Sequence, residues 1–100
     1  MRQARAASVI PYAGAPITTI VHTSQGPAFQ PGSMQIFLAH TSSIEVVNST
    51  NHAQTLLNVR GFVVMQLAPH ASKFLTYTAT GTYDYHLQNH SQATFTAIVS

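Results

Sequence analysis

The sequence predicts an all-β chain, a two-sheet sandwich preceded by a short N-terminal arm. Two observations carry that expectation. Short apolar, β-branched runs recur along the chain, each bounded by Gly, Pro, Asn or Ser, as strands and turns alternate in a sandwich. No segment repeats its apolar residues at the 3.6-residue period of a helix.

Residues 1–16 form the arm. Pro11 and Pro16 argue against a helix there, and Val9, Ile10 and Tyr12 are its apolar points. Such an end either packs on its own domain or reaches a neighbouring copy. Residues 17–100 form the sandwich. Residues 17–22 read as a strand, and residues 23–33 as a Gly- and Pro-rich loop anchored by Phe29. Strands follow over residues 34–39, 44–48, 53–59 and 62–67. Residues 68–71 make a turn, and residues 73–79 set Phe74, Leu75 and Tyr77 among threonines. The last twenty residues read as strand, loop, strand. Tyr83, Tyr85 and Leu87 alternate with Asp84 and His86, giving one buried face. Residues 88–93 are polar and break the pattern, and residues 95–99 restore an apolar run.

Composition narrows the function classes. Charged residues make up 6% of the 100, where roughly a quarter is usual, so Ser, Thr, Asn, Gln, Ala and His must cover the surface. A surface of that kind has little colloidal repulsion and suits contact with copies of itself or with a protein partner. Arg2, Arg5, Arg60 and Lys73 form no patch, which speaks against nucleic acid. There is no cysteine, hence no disulfide, and no apolar run of the roughly 18 residues that a membrane span needs. The N-terminus lacks the continuous apolar core of an intact signal peptide. The compartment stays open among an extracellular, a periplasmic and a large-particle setting.

Several motifs carry a resemblance. The run Gly81-x-Tyr83-x-Tyr85-x-Leu87-x-x-His90 resembles the end of the plastocyanin and amicyanin type of blue-copper protein, the cupredoxins. That family closes in G-x-Y-x-Y-x-C-x-x-H, a short methionine-bearing loop and a final strand. Phe29-x-Pro31, a strand ending in Asn48, and then His52 resemble its F-x-P, N and H positions, with Ser43 where the family has glycine. Ala68-Pro69-His70 resembles its P-G turn, with His70 in the glycine place. The resemblance covers residues 17–100 and implies a Greek-key β-sandwich of the cupredoxin type. It also implies a copper centre in which His52 and His90 match the two histidines. Leu87 stands at the thiolate position, and the axial methionine place falls at Thr94 or Phe95. Blue-copper electron transfer, which needs the His₂Cys set, is therefore not expected.

Two readings follow. The first is a non-enzymatic binding or assembly module, a structural or accessory subunit that has lost the blue-copper site and needs no cofactor. Its partner is a protein or copies of itself, with residues 1–16 as one route of contact. The alternative is a histidine-only module for copper or zinc, using His52 and His90 with His70 as third ligand, since imidazole suits both metals. His22, His40 and His86 fall where no site is expected. No catalytic residues stand out, because there is no cysteine nucleophile or Ser-His-Asp signature, and Glu45 and Asp84 are the only carboxylates. Asn48-Ser49-Thr50 and Asn89-His90-Ser91 fit the N-glycosylation tripeptide.

Overall fold

The computed structural model describes residues 15–100, and the expected arm, apart from Ala15 and Pro16, lies outside the described residues. Nine strands make up the described chain: β1 (Ile17–Thr23), β2 (Gly26–Gln30), β3 (Ser33–Ile36), β4 (Ser43–Asn48), β5 (Gln54–Asn58), β6 (Val63–Leu67), β7 (Ser72–Thr76), β8 (Gly81–Leu87) and β9 (His90–Val99). Among the described residues there is no helix long and apolar enough to cross a membrane. One sheet has the order β2-β1-β4-β7 and the other β3-β9-β8-β5-β6. Both are mixed. β1 runs parallel to β4 and β3 parallel to β9, while the remaining pairs are antiparallel. The architecture is the expected Greek-key sandwich.

Period-2 patterning places the core between the sheets. Ile20, Ile44, Val46, Leu56, Leu67, Leu87 and Phe95 are fully buried, and they come from both inner faces. In β8, Tyr85 and Leu87 turn inward while Asp84 faces solvent. In β7 the inward residue is Leu75, followed by Tyr77 just beyond the strand. Phe74 lies on the outer face, so the alternation expected for residues 73–79 holds for only two of its three apolar residues.

Three boundaries differ from the sequence reading. The loop expected over residues 23–33 contains β2. Gly26, at φ 106, turns the chain after Thr23, whose hydroxyl donates to the Gly26 carbonyl at 2.6 Å and accepts from Gln25 N at 3.2 Å. Pro27 is tolerated because β2 is an edge strand. The strand expected over residues 34–39 stops at Ile36, because Phe37 O accepts from the amides of His40 and Thr41 and closes a turn. The polar stretch 88–93 is mostly strand. A two-residue turn, Gln88-Asn89, joins Leu87 to His90, with Asn89 in the left-handed region at φ 67. The register then slips between His86 and Leu87, leaving residues 91–93 as a bulge.

The two flanks of the sandwich differ. β2 packs against β9 along one flank. Along the other, edge strands β6 and β7 leave a cleft of about 370 Å³ walled by Val64, Met65, Tyr77, Tyr83 and Tyr85.

Candidate functional site

Parallel pairing brings the ends of β1 and β4 together, and the start of β5 and the β8–β9 turn meet them there. Asn48 organises this end. Its side chain is fully buried, and its amide nitrogen donates to the carbonyls of His52 (2.8 Å), Leu67 (3.2 Å) and Ala68 (3.1 Å). Its oxygen accepts from Thr50 N at 3.0 Å and lies 2.7 Å from the Thr50 hydroxyl. The Thr50 hydroxyl also lies 2.9 Å from His52 O, 3.3 Å from His52 N and 3.1 Å from the Gln54 side-chain nitrogen. With one proton to give, Thr50 donates to either Asn48 or His52 O, and it accepts from the other two. The backbone that carries His52 is thus fixed from beneath. Burial also removes Asn48 as a glycan acceptor, whereas Asn89 is exposed.

A cleft of about 410 Å³ opens above this network, and His22, His52 and His90 all border it, with Thr50, Gln54 and Asn89. The chain therefore brings His52 and His90 to one cleft. His70 stays apart. It lies at the same end in the β6–β7 turn, but its ring hydrogen-bonds Asn51 Oδ1 at 3.2 Å and does not line the cleft. Its backbone is left-handed at φ 64, the conformation that glycine accepts most easily. The third imidazole at the cleft is instead His22, at the end of β1. Sequence reasoning set His22 aside because the loop reading of residues 23–33 hid the β1–β2 hairpin that delivers it. Among the described residues, no three His, Asp or Glu side chains come close enough to hold a metal ion.

The position beneath the cleft is filled by hydrocarbon. Leu87 and Phe95 are fully buried, with the Phe95 ring 5.5 Å from Phe29 and 6.3 Å from Tyr85. Thr94 faces solvent, so neither candidate for the axial place offers a ligand there, and Ala93 is the buried residue beside them. The donor set does not fit a blue-copper centre, which needs a cysteine thiolate between two imidazoles.

A second polar feature lies toward the opposite end. The hydroxyls of Tyr77 and Tyr85 meet at 2.8 Å inside the core, and Tyr83 packs on Tyr77 with ring centroids 4.7 Å apart. Tyr83 reaches a backbone partner, donating to Ala79 O at 2.7 Å. Tyr85 has another phenol as its partner in place of a backbone group. Burial, followed by the phenol contact, raises the Tyr77 hydroxyl far above its ordinary range. Burial also raises Tyr85. The two carboxylates lie in different sheets, Glu45 on β4 and Asp84 on β8, where Asp84 accepts from the Thr96 hydroxyl at 2.6 Å. A paired-carboxylate mechanism has no geometry here.

No family model matches the sequence, and no curated protein matches it. Solved structures do. A methionine-to-alanine mutant of amicyanin in its Cu(I) form superposes with a TM-score of 0.71 at 19% identity, covering 87% of this chain and 83% of that one. A reduced tryptophan-to-tyrosine mutant of amicyanin gives 0.71 at 18% identity, covering 88% and 84%. A purple cupredoxin from Nitrosopumilus maritimus gives 0.67 at 16% identity, covering 85% of this chain and 99% of that one. The chain has a cupredoxin-like fold, all-β and two-sheeted, with leucine where the resembling motif carries cysteine.

Proposed function

We propose that this chain is a non-enzymatic assembly module, a cupredoxin-like frame that has given up the blue-copper site and associates with copies of itself. The observation that carries the reading is the β5–β6 tip. Val59, Phe62 and Val63 are 71%, 64% and 56% exposed there, and the turn that holds them is tightly built. Asn58 Oδ1 accepts from Arg60 N and Phe62 N, Asn58 N donates to Phe62 O, and Gly61 at φ 82 closes the loop. A pre-ordered apolar tip loses little entropy on contact. A chain with 6% charged residues lets like surfaces meet without strong repulsion. The buried Leu87 and Phe95 support the other half of the reading, because they use the former ligand position as core. Light scattering over a concentration series tests the proposal. The native chain should form dimers or larger species, and Phe62→Ser with Val63→Ser should return it to monomer. A native chain that stays monomeric at high concentration overturns it.

A second reading rests on the shared cleft. His52 and His90 take up copper or zinc there, with His22 in place of His70 as the third imidazole. Because no three-ligand group is formed among the described residues, the rings must rotate to bind. Calorimetric titration with Cu(II) and Zn(II) separates the two readings, since an assembly module of the first kind shows no one-site uptake.

A further inference from the structure

The cleft between β6 and β7 asks for an occupant. Among the described residues its walls hold no charge, and they present Val64, Met65, Tyr77 and Tyr83 around the buried phenol pair. The β5–β6 register shifts between Leu56 and Leu57, so that Leu56 pairs with Met65 and Leu57 with Val63. Val64 is the extra residue, and both it and Met65 line the cleft. Bulges of this kind re-aim side chains beside binding sites. The two edge strands leave the cleft open along the flank where no further strand pairs.

The start of the described chain lies close by. Ile17 stands beside Glu45, Glu45 stands opposite Phe74, and Pro16 O still accepts from Glu45 N at 2.9 Å. The chain therefore enters the sheet two strand widths from β7, about 10 Å. It enters at the end where β7 finishes and Tyr77 N donates to Ser42 O. From Ala15, five or six extended residues span about 17–20 Å, enough to bring positions 9 and 10 across β4 and β7 to the cleft. Those positions are apolar. Val9, Ile10 and Tyr12 are the large apolar residues between Arg5 and Pro16, and every other residue of that stretch is Ala, Ser, Gly or Pro. We propose that the chain's own residues 9–12 occupy the β6–β7 cleft, with Ile10 and Tyr12 set against Val64, Tyr77 and Tyr83. A tether this short gives an effective concentration in the millimolar range, which favours the chain's own segment over that of a second copy. Val59, Phe62 and Val63 lie outside the cleft walls and stay available for the contact proposed above.

A chain without cysteine makes the test clean. Ile10→Cys combined with Val64→Cys, oxidised in the full-length protein, should give an internal disulfide on a species that migrates as a single chain. Ile10→Cys with Gln92→Cys, at the histidine end, should stay reduced under the same conditions. A disulfide between two chains overturns the proposal and assigns the cleft to a second copy. No disulfide, or equal yields at both positions, overturns it as well. Self-association is read separately on the native chain, so failure here and failure of the assembly reading are distinguishable.

Discussion

Asn48 and Leu87 show how single residues set this molecule's chemistry. Asn48 spreads the two N–H donors of one amide over three carbonyls and anchors the turn that carries His52. Asn48→Ala takes the amide from buried Leu67 O and the acceptor from buried Thr50 N, whereas Ala68 O keeps Ala71 N as a donor and His52 O keeps the Thr50 hydroxyl in reach. A buried group left unpaired costs about 1–3 kcal/mol, so the variant should lose on the order of that in urea denaturation, with the β4–β5 turn losing hydrogen-exchange protection first. Leu87→Ala should cost about 2–5 kcal/mol through lost burial and the cavity left beside Phe95. A cost near zero would show that the position beneath the histidines is not core. The Tyr77–Tyr85 pair makes a pH prediction. Both phenols keep their protons in the folded chain at pH values where unfolded tyrosine, with its pKa of about 10, has lost them. Stability is therefore fully present below pH ~10 and declines above it, by about 1.4 kcal/mol per pH unit for each proton retained. Tyr77→Phe should flatten that decline in denaturation curves taken between roughly pH 9 and 11.

At the scale of the element, the β8–β9 hairpin decides what the fold can bind. Its strands were legible because Tyr83, Tyr85 and Leu87 alternate and Phe95 opens an apolar run, and the fold class followed from many such runs. The turn was not legible. A stretch of five polar residues and Ala93 read as a loop, yet backbone pairing does not depend on side-chain polarity, and Asn89 supplies the left-handed residue that a two-residue turn needs. The same blindness hid β2 and with it His22, since Gly26 and Pro27 look like loop residues unless the strand is known to be an edge. His52 and His90 were readable from the resemblance to the cupredoxin motifs, but which third histidine joins them depends on the path of a hairpin. This difference can be measured. If metal is taken up, His22→Ala should weaken copper or zinc affinity about as much as His52→Ala or His90→Ala, whereas His70→Ala should leave it unchanged. Equal losses for His22 and His70 would mean nonspecific histidine binding.

For the whole molecule, the two ends differ in chemistry, and under the assembly proposal that difference predicts how copies would meet. His22, His52, His70 and His90 gather at one end, while Val59, Phe62 and Val63 sit at the other, where β5 turns into β6. Protonating all six histidines would take the formal charge from +2 to about +8, and four of those charges would appear at the histidine end. β5 and β6 span the distance between the ends, about 15 Å or more, against a screening length of about 8 Å at physiological salt. Copies that meet tip to tip therefore hold most of the added charge well apart. Acidifying from neutral pH to roughly pH 5 should leave their association nearly intact. Copies that meet through the histidine end would instead bring like charges together in one contact. They should separate on acidification and reassociate when salt is raised to about 1 M, where the screening length falls to about 3 Å. Sedimentation velocity at the two pH values, at low and high salt, separates these geometries. Acid-insensitive association that Phe62→Ser weakens supports the tip, whereas acid-labile, salt-restored association rules it out.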